Sequence, residues 1–212
     1  MVYSNMTWRR TYLSRGLVSR RAEAADLVLS WLVLSVAFGA GYILRGSLTG
    51  FTASLVAVGT GFVFHELAHR YIAIKYGMVA RYKAWYTGLA AALIISLITA
   101  KVFGNPFVIA APGAVVIASY GVYDLAYVRR EYKIAAAGPL ANIAVAIASL
   151  IAGNFVGVPL NFYIKFVGSV NAWLAFFNLL PFPPLDGSKI FRTSIGTWLV
   201  LFILAIALFI IM

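Results

Sequence analysis

The sequence predicts an all-α membrane protein: a polytopic bundle of about five to seven transmembrane helices, with a membrane-dipping β segment near residues 106–120. Three observations lead to this fold class. Of the 212 residues, 63% are apolar and only 11% are charged. The mean hydropathy is +0.92, and short basic clusters separate the apolar stretches. A soluble domain needs more polar surface, so we expect residues 1–212 to form one integral-membrane domain.

The apolar stretches follow one another with clear stops. After a basic lead at 1–24, expected on the cytoplasmic membrane surface, the predicted spans are 27–44, 51–76, the short stretch 88–103, 134–153, 160–180 and 194–212. Gly77 and the proline-rich run 181–184 end two of them, because glycine terminates a helix and proline cannot continue one. Residues 107–120 are rich in valine and isoleucine and contain Pro112-Gly113, so they are expected to be extended.

The basic residues indicate how the chain is oriented. The formal net charge is +11, but Lys and Arg occur as short clusters beside apolar segments. This is typical of juxtamembrane anchors and argues against nucleic-acid binding. If 88–120 is a hairpin that returns to the side it left, then the lead and the loops 75–83, 129–133 and 189–192 all face the cytoplasm. We therefore expect a multi-pass protein of the cell membrane with a cytoplasmic N-terminus.

Both histidines of the chain lie inside the second predicted span. His65 and His69 are four residues apart and share a helix face, with Glu66 beside that face. Ionisable groups are costly inside a bilayer and are usually functional there. HExxH on a helix is the zinc-protease pattern, in which a carboxylate reaches the bound water. A metal-ion or proton transporter is the alternative, because it also buries histidines and carboxylates. A catalytically silent scaffold would not need Glu66.

A catalytic zinc site needs a third protein ligand. The chain has no cysteine, so only nitrogen and oxygen ligands remain. Four other carboxylates lie beside basic clusters or interface edges, where solvated ion pairs are expected: Glu23, Asp26, Asp124 and Glu131. Asp186 differs, because it follows a span in a proline-rich segment, and non-helical backbone at membrane depth needs a polar or protein surrounding. Its predicted cytoplasmic location is also that of His65 and His69.

Two asparagines lie in apolar surroundings, Asn142 after Gly138-Pro139 and Asn178 before Pro181. Either amide could hydrogen-bond a neighbouring helix. Either could instead hold an extended substrate backbone or the oxyanion of a hydrolytic reaction. The residues leave both roles open for each asparagine. Gly138 is expected to allow close packing of helices.

Three motifs in this order closely resemble the site-2 protease family of intramembrane zinc metalloproteases. They are HELAH at 65–69, GPLAN at 138–142 and NLLPFPPLDG at 178–187. The resemblance covers about residues 51–192, which we expect to be the catalytic core. The additional apolar stretch at 88–103 departs from the family pattern and affects the expected substrate entrance.

The resemblance implies a function and a set of roles. The implied function is hydrolysis of peptide bonds in or near transmembrane segments of membrane proteins, as in regulated intramembrane proteolysis. The implied partners are such segments and the lipid bilayer, and the implied cofactor is Zn²⁺. An edge strand at 114–119 could pair with the substrate, which must be extended to expose its carbonyls. The implied residues are the zinc ligands His65, His69 and Asp186, the catalytic Glu66, and Asn142 and Asn178 for positioning substrate.

Overall fold

The computed structural model describes residues 20–109, 113–118 and 125–212, and most of these are helical. The first elements are α1 Arg20–Leu44, α2 Leu48–Val58, a π-helical turn Gly59–Val63 and α3 Phe64–Lys75. Next come β1 Val79–Ala84, α4 Tyr86–Phe103 and β2 Gly113–Ala118. The chain then forms α5 Leu125–Gly153, α6 Leu160–Asn178, α7 Asp186–Thr193 and α8 Ile195–Ile211. Of the predicted lead, 20–24 begins α1 and the rest lies outside the described residues, as does Asp124.

Within the described residues, four helical segments are long and apolar enough to cross a bilayer: α1, the continuous segment Leu48–Lys75, α4, and Arg130–Gly153 within α5. Helix α8 is apolar but has 17 residues, and α6 has 19 residues that include Lys165 and Asn171. The helical, membrane-type fold class is therefore confirmed for the described residues. The number of spans, about five to seven, stays a prediction. The stretch expected to be short, 88–103, belongs to an 18-residue helix.

Two strands form a small antiparallel sheet. Val79 pairs with Ala118 and Ala84 with Gly113, so β2 returns to the end of α4 that adjoins β1. Strand β2 therefore lies beside the start of α4, and the hairpin that returns to one side of the membrane stays a prediction. Strand β2 lies within the extended segment expected near 106–120, although its depth in a membrane stays a prediction. Strand β1 is not among the predicted elements.

Two carboxylates of α1 hold β1 in place, which corrects the solvated role expected for them. Glu23 and Asp26 are only 3% and 7% exposed. Glu23 accepts the backbone N–H of Tyr82 at 3.2 Å, and Asp26 accepts that of Ala84 at 3.0 Å. Residues three apart share a helix face, and alternate N–H groups share a strand edge. Helix α1 therefore takes the place of a third strand, and we call Glu23 and Asp26 the acidic clamp.

Donors from other elements satisfy the acidic clamp. One oxygen of Glu23 lies 3.4 Å from Nη1 of Arg70 on α3, and the other lies 3.3 Å from Nη1 of Arg81 on β1. Asp26 also accepts the hydroxyl of Tyr86 at 2.6 Å. Buried carboxylates are tolerated when they are paired and hydrogen-bonded in this way. The clamp ties the start of α1 to the sheet and to α3.

Apolar packing forms two main clusters. One joins α1, α2, the π-helical turn and α6 through residues such as Leu34, Phe62 and Leu174. The other joins α5, α6, α7 and α8 and consists largely of alanines around Leu179 and Ile190. Small side chains let helices approach closely, which is how helices associate in lipid. Helix α5 packs against α3, α6 and α7, so it is the element around which the candidate site is assembled.

Candidate metal centre

Three side chains that are distant in the sequence meet between α3 and α7. Nε2 of His65 and Nε2 of His69 lie 2.9 Å apart. Oδ2 of Asp186 lies 3.3 Å from the first nitrogen and 3.0 Å from the second. Both histidines are buried, and the Asp186 side chain is 12% exposed. The structure thus brings together the three residues that the sequence suggests as ligands, and we call them the His–His–Asp cluster.

Local structure explains why these side chains converge. His65 and His69 are one turn apart on α3, directly after the π-helical turn, a distortion that is frequent at functional sites. Asp186 is the first residue of α7, which begins after the proline-rich segment has ended α6. Gly187 allows α7 to start there, because a Cβ at this position would overlap the backbone carbonyl of Leu179.

Acceptors on α5 hold the outer nitrogens of both imidazoles. Nδ1 of His69 lies 2.7 Å from the carbonyl oxygen of Ile134. Nδ1 of His65 lies 2.5 Å from Oδ1 of Asn142. A ring nitrogen that faces a carbonyl oxygen carries the hydrogen, so both Nε2 atoms present lone pairs to the cluster. Such outer hydrogen bonds orient histidines that bind metals.

The donor set fits a zinc ion. The cluster contains two nitrogen lone pairs and a carboxylate oxygen, and a cation would offset their mutual repulsion at 2.9–3.3 Å. Two imidazoles and one carboxylate are a known catalytic type of zinc site, with the fourth position left open. Ligand atoms about 2.0–2.1 Å from one tetrahedral ion lie roughly 3.3 Å apart, close to the distances found here.

Gly138 on α5 leaves the space that the two rings occupy. A Cβ at this position would overlap Nε2 of both His65 and His69. Gly138 was expected to let helices pack closely, and in the structure its small size brings α5 close to the His–His–Asp cluster itself. Any larger side chain here would displace two of the three candidate ligands.

Glu66 lies beside the cluster in a cavity of about 100 Å³. It is only 8% exposed, and its Oε2 has no hydrogen-bond partner within the described part of the chain. The cavity is lined by the His–His–Asp cluster, by Asn178, and by apolar side chains of α1, the π-helical turn and α6. A buried carboxylate oxygen without a partner is costly. Glu66 is therefore well placed to bind, and to take a proton from, a molecule in the cavity.

A lysine lies beside the other carboxylate oxygen of Asp186. Nζ of Lys189 lies 3.5 Å from Oδ1 of Asp186, and Glu131 also lines the cavity. Burial raises the pKa of Asp186, but the His69 and His65 rings hold that pKa well below its usual range when they carry a positive charge. With both rings neutral, a metal cation between the three side chains would stabilise the Asp186 carboxylate in the same way.

The two asparagines occupy different positions. Asn142 has no exposed surface, since its Oδ1 faces His65 and its Nδ2 donates to the carbonyl oxygen of Gly61 at 2.7 Å. Asn142 is not among the residues that line the cavity, and the substrate-positioning role expected for it stays a prediction. Asn178 does line the cavity, and its Nδ2 donates to the carbonyl oxygen of Leu174 at 2.9 Å. Its substrate-positioning role stays a prediction.

Comparisons with known proteins place the chain in a family. Residues 153–207, which include α6 and Asp186, match the model of Peptidase family M50. The chain is also 42% identical over 178 residues to a protein of Methanocaldococcus jannaschii that is provisionally named a zinc metalloprotease. That match covers 83% of this chain and 86% of the relative. The chain belongs to peptidase family M50. This is the site-2 protease family that its motifs resemble.

A second M. jannaschii relative, named a zinc metalloprotease, is 27% identical over 136 residues. The match covers 63% of this chain and 32% of that relative, so the chain spans about a third of the relative's length. No solved structure matches the chain. Family M50 membership and the four apolar helices make the chain an integral-membrane zinc metalloprotease, with Zn²⁺ as its cofactor.

Three features around this M50 site are missing from the sequence predictions: β1, the acidic clamp and Asn171. For β1 a signal was present, because buried positions in Val79–Ala84 alternate with Arg81 and Lys83. Asn171 had a weaker signal, since it lies two helical turns before Asn178 in an apolar helix. No sequence signal indicated the acidic clamp, because Glu23 and Asp26 bind backbone groups that are distant in the sequence.

Proposed function

We propose that this M50 protein is an intramembrane protease that hydrolyses peptide bonds in or near transmembrane segments of membrane proteins. One observation carries the proposal: the His–His–Asp cluster shares a cavity with the unpartnered Oε2 of Glu66. His65, Glu66 and His69 belong to a segment that is long and apolar enough to cross a bilayer. A substrate would therefore meet the cluster at membrane depth, as in regulated intramembrane proteolysis.

In the proposed reaction each residue has a separate task. His65, His69 and Asp186 hold Zn²⁺, which acidifies water and polarises the scissile carbonyl when bound. Glu66 takes a proton from the attacking water and delivers it to the leaving amide nitrogen. Asn178, on the cavity wall, holds the substrate backbone. The apolar walls keep the dielectric constant low, which strengthens these interactions.

The sheet offers one edge to an extended substrate. The acidic clamp accepts hydrogen bonds from the backbone N–H groups of Tyr82 and Ala84, so the backbone groups of these two residues point away from β2. Backbone direction alternates along a strand, so the intervening residues of β1 make the ladder bonds. In the register observed, Val115 and Ile117 then direct their N–H and C=O groups to the outer edge of β2. This edge has no partner strand among the described residues.

The outer edge of β2 leads to the cavity. Gly113, the first residue of β2, lines the cavity that holds the His–His–Asp cluster. A substrate that pairs with Val115 and Ile117 would therefore continue toward the cluster in extended form. Pairing through backbone groups depends little on side chains, so it suits an enzyme whose substrates are varied apolar segments.

The cytoplasmic face is the proposed side of the active site. Arg20 and Arg21 begin α1 and Lys75 ends α3, and the acidic clamp joins these ends to the sheet. Because the chain has no cysteine, single cysteines can report the orientation. A membrane-impermeant thiol reagent should label Lys83→Cys only from the cytoplasm and Arg45→Cys only from the opposite side. The reverse pattern would overturn the orientation without affecting the metal centre.

The function is tested with the full chain in proteoliposomes. The substrates are single-span proteins whose transmembrane helix is weakened by Gly and Pro. We expect cleavage within the span, loss of cleavage when a chelator removes the metal, and recovery with one Zn²⁺ per chain. A metal-ion or proton transporter would instead move its ion across sealed vesicles and leave the substrates intact. Zinc bound without cleavage of any such substrate would count against intramembrane proteolysis.

A further inference from the structure

A continuous hydrogen-bonded chain of side chains leads away from the His–His–Asp cluster, and all but the last, which is partly exposed, are buried. It runs from His65 on α3 to Asn142 on α5, then to Asn171 on α6, and ends at Thr60 in the π-helical turn. Both asparagines have no exposed surface. We propose that Asn171 is a positioning residue that orients the zinc ligand His65 through Asn142. The inference rests on the proposed function, in which His65 binds zinc.

The orientation of the Asn142 amide follows from its neighbours. Nδ2 lies 2.7 Å from the carbonyl oxygen of Gly61, which can only accept a hydrogen bond. The same nitrogen lies 3.3 Å from Oδ1 of Asn171, so two acceptors receive its two hydrogens. Oδ1 of Asn142 must then face Nδ1 of His65 and accept its hydrogen. If the Asn142 amide were rotated by 180°, its Oδ1 would face two acceptors, the carbonyl oxygen of Gly61 and Oδ1 of Asn171. Its Nδ2 would then face the N–H of His65, which is also a donor.

Asn171 is fixed in the same way. Its Nδ2 donates to the carbonyl oxygen of Val167 at 2.9 Å and to Oγ1 of Thr60 at 3.1 Å. The Thr60 hydroxyl in turn donates to the carbonyl oxygen of Val56 at 3.0 Å. Oδ1 of Asn171 is therefore turned toward Asn142. Since Asn171 lies one helix further from the cluster, its effect on His65 must pass through the Asn142 amide.

All the donors in this chain point the same way. His65 donates to Asn142, Asn142 to Asn171, Asn171 to Thr60, and Thr60 to the backbone of α2. Hydrogen bonds that run in one direction polarise one another in a medium of low dielectric constant. The result is a fixed hydrogen on Nδ1 of His65 and a lone pair on Nε2 that faces the metal position. A residue that only joined helices would have no reason to act on zinc binding.

The experiment measures zinc affinity by chelator competition on the purified full chain, together with thermal unfolding. Asn142→Leu removes the direct acceptor of His65 and should weaken zinc binding by about 10- to 100-fold. Asn171→Leu, of similar volume, should weaken it by a smaller factor, about 3- to 10-fold. The double variant should bind zinc as Asn142→Leu alone does, because Asn171 acts only through Asn142. Additive losses would overturn the proposal.

A control separates this role from helix packing. The Ser54 hydroxyl makes a buried hydrogen bond between α2 and α1 that does not reach the cluster. Ser54→Ala should lower the unfolding temperature and leave zinc affinity unchanged. If Asn171→Leu shows only this pattern, Asn171 is a packing residue and the inference fails.

A second pair of variants decides the question if Asn171→Leu does not fold. Thr60→Val removes the outer acceptor of Asn171, whereas Thr60→Ser keeps it. We expect about twofold weaker zinc binding in the first and no change in the second, and equal affinities would overturn the proposal. His65→Ala is the check on the proposed function itself. If His65→Ala binds zinc as the unaltered chain does, the zinc site is misplaced. If it loses zinc while Asn171→Leu and Thr60→Val do not, only the inference fails.

Discussion

Two buried groups of ionisable side chains meet on α3, and they differ in what neutralises them. The His–His–Asp cluster presents three acceptor atoms to one point. The acidic clamp also buries carboxylates, but two arginines, two backbone N–H groups and a tyrosine hydroxyl satisfy them. His69 and Arg70 are adjacent in the sequence yet serve different groups, because successive residues on a helix point in different directions.

The atoms left without partners show the same difference. Beside the His–His–Asp cluster, the unpartnered atom in the described part of the chain is an acceptor, Oε2 of Glu66. At the acidic clamp it is a donor, Nε of Arg70. A group with surplus acceptors needs a cation or a proton donor from outside, whereas the clamp already contains its own positive charge. The His–His–Asp cluster is therefore a binding site, whereas the acidic clamp is a structural contact between helices and sheet. The predictions below test this distinction.

The largest expected effect is on turnover at Glu66. Glu66→Gln should reduce turnover by about 10²- to 10⁴-fold, because it removes the group that carries the proton. Zinc should remain at one ion per chain, since Glu66 is not a ligand. Glu131→Gln is the matched control, because Glu131 also lines the cavity but lies outside the cluster. The measurements are cleavage rate and elemental zinc content. Equal activity in the two variants would remove Glu66 from the mechanism.

The same carboxylate-to-amide change at the two groups should separate metal binding from stability. Asp186→Asn should weaken zinc binding by at least about 100-fold, because it alters a ligand. Glu23→Gln should leave zinc affinity unchanged and lower the free energy of unfolding by about 1–3 kcal/mol, because it weakens two ion pairs. Chelator competition and thermal unfolding give the two quantities. Zinc loss in Glu23→Gln would contradict the distinction between the His–His–Asp cluster as a binding site and the acidic clamp as a structural contact.

A single methyl group should show how tightly the His–His–Asp cluster is enclosed. Gly138→Ala places a Cβ against both Nε2 atoms, so we expect zinc affinity to fall by about 10- to 100-fold. The control is Gly196→Ala in α8, where a Cβ would meet no atom within 4 Å. This control should bind zinc normally and unfold at an unchanged or slightly higher temperature. Normal zinc binding in Gly138→Ala would mean that α5 can move away.

The smallest expected effect concerns the edge of the sheet that the acidic clamp leaves available. Ile117→Pro removes an N–H that points outward, so KM should rise by about 2- to 10-fold with zinc binding retained. Val116→Pro instead removes an N–H that pairs with β1 and should mainly lower stability. Steady-state cleavage and thermal unfolding distinguish the two. If KM is unchanged in Ile117→Pro, the substrate does not pair with β2.

Motifs whose residues are close in the sequence could be predicted, whereas several contacts between residues that are distant in the sequence could not. The shared face of His65 and His69 follows from a spacing of four on a helix. The meeting with Asp186 could be expected from charge and topology, because both segments were assigned to one side of the membrane. The buried state of Glu23 and Asp26 could not be expected. The residues near Glu23 and Asp26 in the sequence do not show that backbone N–H groups nearly 60 residues away will replace water around the two carboxylates.

The role of Asn142 shows the same limit. From the sequence, its amide could serve a neighbouring helix or a substrate, and the family resemblance favoured the substrate. The structure gives one end of the amide to His65 and the other to Gly61, and the role toward a substrate stays a prediction. Which acceptor an amide finds depends on how α3, α5 and α6 pack, and that packing is set by contacts along their full length.

The sequence by itself determined the membrane-type helices, the HExxH pair and the type of ion, because these depend on composition, on helical period and on the chemistry of the side chains. The tertiary structure alone decided which carboxylates are satisfied by the protein and which are left to a ligand. Partners of that kind come from elements distant in the chain. A side chain's charge is a property of one residue, but its neutralisation is a property of the packed neighbours.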